Sequence, residues 1–346
     1  MKEILQFSLV TTTYNEINRI GYTIEDIENQ VMRPTEIVIT DAGSTDGTYE
    51  RLLAWSNESK IDIKILLKPK CNVAQGRNFA IDAASFPIIA STDFGCRFHK
   101  NWLKSIIEPF EDSDINVVGG GYTVIEEDIQ TLPARANYVL SAGYTSVMDD
   151  YFIPSSRSIA YYKKVWENVG GYAEWLSLAA DDLVFGKTLK SKGYRFYLVE
   201  KPYVYWGRHL ETQGYAREAF RYGLGDGEAR VNQRQFIRGS IETLFRYLFL
   251  FSVTVGSLLI HSKKLPLFCI IFLFPLAIGF KPYFYGIKNW IKFKSKKYSI
   301  KVCLFSFYLI EISRLNYTRG YSKGYFFSSE LIKAKARELR LILKSK

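Results

Sequence analysis

Two stretches decide the fold: Phe7-Ser-Leu-Val-Thr-Thr-Thr-Tyr-Asn-Glu16 and Glu36-Ile-Val-Ile-Thr-Asp-Ala-Gly-Ser-Thr-Asp-Gly-Thr48. Each is a short β-branched apolar run that breaks into small and polar residues. Such runs read as buried strands that end in turns. Working outward, the strand at 7–12 precedes a helical pattern over 17–30, and 36–40 precedes one over 46–56. Runs at 61–67 and 87–91 precede helical patterns over 73–84 and 101–110, and 117–124 reads as a fifth strand. Strand–helix alternation at this spacing predicts right-handed βαβ units. The expected fold class is therefore α/β, Rossmann-like, with a mostly parallel sheet and helices on both faces. Ligands in such sheets sit beyond the carboxyl ends of the strands. The strand ends Thr13–Glu16, Asp41–Ser44 and Thr92–Gly95 are where chemistry is expected.

Further along, a strand is expected at 158–162, then a helix to Val169, a Gly170-Gly171 turn, and a helix over 181–192. Tyr194–Val199 reads as a strand, and 211–234 as a basic, aromatic helix. After Leu244 the composition changes. Residues 247–260 and 265–280 are apolar and are separated by His261-Ser262-Lys263-Lys264. A spanning helix needs roughly 20 apolar residues, which each run reaches only with its flanks. The preferred reading is a hairpin of two membrane helices; buried or interfacial helices remain the alternative. A third run, 302–312, is too short to count as a span. The expected organisation is a catalytic domain over 1–235, a membrane-associated hairpin over 236–300 and a basic helical tail over 301–346.

Charge supports that division. The chain of 346 residues has a net charge of +11, yet residues 281–346 alone carry 16 Lys/Arg and 3 Asp/Glu. A basic segment beside an apolar one reads as the cytoplasmic flank of a membrane segment, which argues against nucleic acid as a partner. Cys71, Cys96, Cys269 and Cys303 are widely spaced, with no metal or disulfide pattern. The N-terminus has no apolar signal region. The expected location is the cell membrane, with the catalytic domain facing the cytoplasm.

Individual side chains suit a nucleotide ligand. Tyr14 can stack on a base; Glu16 and Asp41 can accept hydrogen bonds from base or ribose donors. Asp41 alone would read equally as turn chemistry, and Ser44, Thr45 and Asp46 as a helix cap. Arg77 opens a helical stretch after Asn72–Gly76, and a guanidinium matches phosphate geometry bidentately. Asp93 ends an apolar strand, where a buried carboxylate needs a partner or a metal. Asp181 and Asp182 precede a helix, which they would cap in the bland reading.

Taken in order, Thr12-Thr13-Tyr14-Asn15-Glu16, Asp41–Thr48, Gly76-Arg77-Asn78, Thr92-Asp93-Phe94-Gly95-Cys96, Gly170-Gly171-Tyr172 and Ala180-Asp181-Asp182 resemble the family 2 glycosyltransferases. The resemblance covers about residues 5–235. It implies a GT-A fold, an enzyme of class EC 2.4, and inverting transfer of one sugar from a nucleoside-diphosphate sugar to a hydroxyl acceptor. The acceptor would be a glycan or a lipid-linked glycan, in polysaccharide or cell-envelope biosynthesis. By resemblance, Thr12, Thr13, Tyr14, Glu16, Asp41, Arg77 and Asp93 bind the donor nucleotide, and Asp182 is the catalytic base. Asp181 and Arg208 are candidates for contact with acceptor or diphosphate. The family usually has Asp-x-Asp where this chain has Asp93-Phe94-Gly95. A Mg²⁺ or Mn²⁺ ion is still expected on Asp93, with one protein carboxylate instead of two. No Gln-x-x-Arg-Trp follows at Trp206–His209, which argues against a processive synthase. Two alternatives stay open: a catalytically impaired nucleotide-sugar-binding membrane protein of the same fold, which Gly95 favours, and a nucleotidyltransferase. The latter should have a Gly-rich phosphate loop with Lys near the N-terminus, and Val10–Glu16 contains neither Gly nor Lys.

Overall fold

The computed structural model describes residues 5–141, 148, 152–258, 279–293 and 298–344. The chain divides into two compact units. The first comprises Met1–Glu127, Tyr144–Arg208 and Ser329–Lys346; the second comprises Asp128–Gly143 and His209–Ser328. This division differs from the one drawn on the sequence. The boundary at 235 falls inside the second unit, and the last helix of the basic tail belongs to the first.

The first unit is built on one eight-stranded sheet. Its strands are β1 (Phe7–Thr13), β2 (Glu36–Asp41), β3 (Asp62–Leu67), β4 (Ile88–Ser91), β5 (Cys96–Phe98), β6 (Val117–Val124), β7 (Ile159–Tyr162) and β8 (Phe196–Trp206). The spatial order is β3-β2-β1-β4-β7-β6-β8-β5. β3, β2, β1 and β4 run parallel in the βαβ manner that the sequence predicts. β7 then runs antiparallel to both β4 and β6, and β5 antiparallel to β8. The expected mostly parallel sheet is thus mixed. The cause lies in the connections: helical crossovers serve the first four strands, whereas β7 enters from a loop and reverses the direction.

β8 is longer than the predicted strand at 194–199 because Pro202 does not end it. The ladder with β6 shifts register at Gly120–Gly121–Tyr122, opposite the proline. A Cβ on Gly121 would lie 2.7 Å from the Glu200 carbonyl oxygen, so only glycine allows this bulge. The short strand β5 has no sequence signal, being three residues held by pairing with Val204–Trp206.

Helices α1 (Ile17–Glu28), α2 (Thr48–Glu58), α3 (Val73–Asp82), α4 (Trp102–Ile107), α6 (Lys163–Val169) and α7 (Asp181–Ser191) cover the sheet. α1 shows the logic: Ile20, Thr23, Ile24 and Ile27 recur on one stripe and are buried. They pack with Leu9, Ile37 and Ile39 of the central strands. On the other face Val10, Val38 and Ile89 meet Ala74, Ala80 and Ile81 of α3 and Phe185 and Leu189 of α7.

The second unit is helical: α5 (Leu132–Leu140), α8 (Thr212–Ala229), α9 (Gln233–Leu258), α10 (Lys281–Lys292) and α11 (Ile300–Phe327). Gly223 and Gly227 of α8 abut the backbone of α11, and Gly320 and Gly324 of α11 abut the backbone of α8. The last helix, α12 (Glu330–Lys344), packs on α7 in the first unit. No described helix is long and apolar enough to cross a membrane. The expected hydrophobic hairpin is therefore not found among the described residues. Its first run, 247–260, is mostly the end of α9, which carries Arg234, Arg238, Glu242 and Arg246 ahead of that run. Nearly all of its second run, 265–280, lies outside the described residues.

Candidate active site

The first and second strand ends are stitched together. Asn15 has φ 56°, a conformation that asparagine tolerates better than most residues. Its N–H donates to Ser44 Oγ at 2.9 Å, and its Oδ1 accepts from the Thr45 N–H at 2.9 Å. Asp46 serves both following helices: Oδ2 accepts from Ile17 N–H of α1 at 3.1 Å, and Oδ1 from Thr48 N–H of α2 at 3.1 Å. Asp46 caps a helix as expected, and α1 gains a cap that its own N-cap residue does not supply.

Asp41 is fully buried. Its Oδ1 accepts from the Gly43 and Ser44 N–H groups, both at 2.8 Å, and Oδ2 accepts from Ser44 Oγ at 2.7 Å. Its carboxylate shapes the loop in the manner of Asp-x-Gly turn chemistry. Tyr14 is 57% exposed, so a ring is available for stacking. Thr12 and Thr13 end β1, where Thr12 packs under Gly76 of α3 and Thr13 is buried.

Arg77 is the centre of the constellation, with only 1% of its surface exposed. Nη1 donates to Asp181 Oδ2 at 2.6 Å and Nη2 to Asp93 Oδ1 at 2.9 Å. The guanidinium also lies 4.7 Å from the Tyr172 ring centroid. Burial opposes its charge, but Asp181 and Asp93 outweigh burial and hold the proton more tightly than usual. The helix that carries Arg77 starts with a capping box between Asn72 and Gln75. Asn72 Nδ2 also donates to the Glu174 and Leu176 carbonyls, at 2.9 and 3.0 Å. Asn78 donates to the Tyr172 carbonyl and accepts from Tyr172 N–H and Trp166 Nε1, each at 2.9 Å. The loop from Gly171 to Ala180 is thereby fastened to α3, which fixes where α7 begins.

At that beginning Ala180 has φ 72°, and Asp181 and Asp182 follow in the first turn. Asp182 keeps part of its surface accessible. Burial, then the neighbouring Asp181 charge, push its carboxyl up to about 6; Arg157 and Arg77 pull the other way. Glu16 is also raised above the usual carboxylate range, first by burial and with a contribution from Asp93.

Asp93, Arg77, Asp181 and Asp182 therefore come together from three sequence regions. The sequence reading missed Arg157. Its carbonyl accepts from Thr92 Oγ1 at 2.8 Å, beside Asp93, and its guanidinium lies 3.7 Å from the Trp206 ring centroid and 5.5 Å from that of Tyr122. Arg208 is buried, with its guanidinium 4.0 Å from the same Trp206 ring. Nothing in the Ser-Ser-Arg-Ser run around Arg157 marks it, because its setting depends on the antiparallel entry of β7.

Among the described residues no three His, Cys, Asp or Glu side chains gather to hold a metal. Carboxylates, the hard oxygen donors that suit Mg²⁺ or Mn²⁺, are nonetheless present at the strand ends in Asp93 and Glu16. Asp93 is held by Arg77 at 2.9 Å, and a Cβ on Gly95 would lie 3.3 Å from Glu16 Oε2.

The comparisons agree with this architecture. Residues 8–169 match the family model described as glycosyl transferase family 2. The chain is 22% identical over 190 residues to glycosyltransferase AglE of Haloferax volcanii, covering 54% of this chain and 62% of that protein. It is 24% identical over 205 residues to the O-antigen chain rhamnosyltransferase WbaN of Salmonella anatum, covering 55% and 62%. The chain thus spans less than two thirds of the length of these curated relatives. Among solved structures it resembles the mannosyltransferase PcManGT of Pyrobaculum calidifontis, solved with GDP-Man and Mn²⁺, at a TM-score of 0.55 and 15% identity over 95% of this chain and 89% of that one. The likeness shows the mixed α/β fold of the GT-A type. Over residues 8–169, the chain is thus similar to glycosyl transferase family 2.

Proposed function

We propose that this chain is a hexosyltransferase-like enzyme of class EC 2.4. It moves one sugar from a nucleoside-diphosphate sugar to a hydroxyl of a glycan or lipid-linked glycan, with inversion. The observation that carries this reading is the Asp182 carboxyl, raised to about 6 beside the Asp181–Arg77–Asp93 chain of ion pairs. A base poised near the operating pH is what general base catalysis asks for. Asp182 takes the acceptor O–H proton as that oxygen forms a bond to the anomeric carbon. The bond from that carbon to the diphosphate oxygen breaks, and the nucleoside diphosphate leaves with the electron pair. Asp181 is held by Arg77 and so presents Asp182 from a fixed helix start.

Tyr14, Thr12, Thr13 and the Asp41 loop are proposed to receive the nucleoside, with Arg77 fixing Asp93 at its edge. Arg208 is proposed to meet a phosphate of donor or acceptor. Asp93 would hold a divalent ion together with diphosphate oxygens, and such an ion neutralises charge on the leaving group. The GDP-Man and Mn²⁺ of the Pyrobaculum protein, and the O-antigen role of the Salmonella protein, support the donor class and a place in polysaccharide biosynthesis.

Membrane attachment is proposed for the helical unit, with the catalytic unit on the cytoplasmic side. Ile237, Ile241, Leu244 and Phe251 lie on one side of α9 at helical spacing and are 43–68% exposed. The basic residues of 281–346 would meet anionic headgroups. A binding-only protein is favoured by one observation, Gly95 in place of a second Asp.

One assay separates these readings: release of nucleoside diphosphate from UDP-, GDP- and dTDP-sugars. The expected result is turnover with at least one donor, lowered by roughly 10²–10⁴-fold in Asp182→Asn. No turnover alongside tight donor binding would select the binding-only reading. Full turnover in Asp182→Asn would remove Asp182 as the base.

A further inference from the structure

Carboxylates placed inside the first unit are matched by donors. Glu36 accepts from Ser8 Oγ at 2.6 Å and Lys64 Nζ at 2.6 Å, and also from Ser85. Asp26 accepts from Arg97 Nε and Nη2 at 2.6 and 2.9 Å and from Phe98 N–H at 2.8 Å. Glu28 accepts from Trp55 Nε1 at 2.8 Å and Ser59 Oγ at 2.5 Å. Glu16 breaks the rule. It is partly buried at the end of the β1 loop, and no described hydrogen bond or ion pair reaches its carboxylate, although Arg19 lies close enough to act on it through space. Keeping a carboxylate away from water without a partner is costly.

Its position gives the reason. The Glu16 carboxylate stands over Gly95, with Oε2 3.3 Å and both Cδ and Oε1 3.8 Å from where a Cβ on that residue would be. Gly95 has φ 85° and lies two residues after Asp93, at the place of the missing second carboxylate. An aspartate there would press its Cβ towards a like-charged group. The glycine and the glutamate thus read as one arrangement: the carboxylate has moved from the fourth strand end to the first.

We infer that Glu16 supplies the second protein carboxylate of the divalent-ion site, joining Asp93 across the space that Gly95 leaves open. This rests on the donor-site reading above. Asp93 uses Oδ1 for Arg77, and no described hydrogen bond falls on its Oδ2. Two hard, anionic oxygen donors from separate loops suit Mg²⁺ or Mn²⁺, which completes its shell with diphosphate oxygens and water. The ion offsets the burial of Glu16, and Glu16 makes good the charge that Gly95 omits. A Glu16 that met the ribose instead would act on nucleotide with or without metal, so the two roles separate experimentally.

The test is Mn²⁺ uptake by the full chain, read by loss of the free Mn²⁺ signal in electron paramagnetic resonance, with UDP or GDP present. Nucleotide binding is measured in parallel in EDTA. Wild type should take up Mn²⁺ with at least one of the two nucleotides. Glu16→Gln and Asp93→Asn should each weaken that uptake by roughly tenfold or more. In EDTA, Glu16→Gln should bind the nucleotide within about twofold of wild type, since the role is through the ion. The double variant Glu16→Ala with Gly95→Asp should regain part of the Mn²⁺ affinity. If Glu16→Gln does not fold, Glu16→Asp, with its carboxylate drawn back by one methylene, should still show weakened uptake. The inference is overturned by unchanged Mn²⁺ uptake in the Glu16 variant. Equal loss of nucleotide in EDTA overturns it as well, and so does a wild type that binds nucleotide but no Mn²⁺; in that last case the donor site stands alone. A wild type that binds neither nucleotide overturns the donor site and the inference together.

Discussion

The two units of this chain bury polar groups for opposite reasons. In the α/β unit one buried cation gathers carboxylates from distant loops: Arg77 of α3 holds Asp93 after β4 and Asp181 at the start of α7. In the helical unit they hold helices together. Asp226 of α8 accepts from Tyr317 Oη of α11 at 2.5 Å, and Arg246 of α9 pairs with Glu311 of α11 at 2.7 Å. The helical unit can spend its polar groups on packing because its closest contact needs none. Four glycines bring α8 and α11 together at backbone distance. The lesson is that burial of charge alone does not mark a site. What separates the two is a raised carboxyl that remains partly accessible, and only Asp182 and Glu16 combine those traits among the described carboxylates.

Breaking the first network should have the largest effect. Arg77→Ala leaves Asp93 and Asp181 without their shared cation, and removing one partner of a buried pair typically costs about 3–5 kcal/mol. A much lower denaturation midpoint and loss of donor binding are expected by urea titration and calorimetry. If Arg77→Ala were as stable as wild type, the central role of that guanidinium would fall. Gly227→Leu tests the helical unit in the same way. A side chain driven into the α11 backbone should destabilise by about 1–3 kcal/mol or more. Thermal unfolding should then show an early transition, with donor binding by the α/β unit retained.

The Asp182 carboxyl sharpens the contrast further. Its folded value near 6 exceeds the unfolded value of 3.8, so its neutral form is favoured in the native state. The stability it contributes is complete below pH 3.8 and is lost as pH rises through 6. Above that, the charged form works against folding, by about 1–3 kcal/mol once partial exposure is allowed for. Asp182→Asn should therefore melt at a higher temperature than wild type at pH 8 and lose that advantage by pH 4. Activity runs the other way, falling about tenfold per pH unit below 6 because the base must be ionised. A flat pH–rate profile from 5 to 8 would disconnect Asp182 from proton transfer.

The smallest stability effect is expected on the exposed side of α9. Ile241→Glu should change unfolding by no more than about 0.5 kcal/mol, as for surface substitutions generally. It should nonetheless lower co-flotation with vesicles containing anionic lipid. Equal flotation of wild type and variant would move the attachment site elsewhere.

Much of the α/β unit was legible. β1, β2, β3, β4 and β6 lie within about a residue of their predicted runs, since each is a compact apolar stretch bounded by turn residues. Asp93, Arg77, Asp181 and Asp182 were each singled out, yet their meeting was not, because pairing across 104 residues leaves no mark on local pattern. The strands at 158–162 and 194–199 were predicted, but not the antiparallel direction of β7 or the run of β8 past Pro202 to Trp206, which the bulge at Gly121 accommodates. Arg157 was invisible for the same reason.

By itself, then, the sequence determined which strand ends carry polar, turn-forming residues, because a strand end needs them wherever the sheet goes. It also determined the defect at Gly95, which is a matter of composition. Only the tertiary structure decided what stands beside that glycine. The space above Gly95 is filled by a carboxylate from a loop 79 residues earlier in the chain. Sequence fixes side-chain chemistry locally, whereas packing fixes which side chains share a volume, and a site is a property of the shared volume.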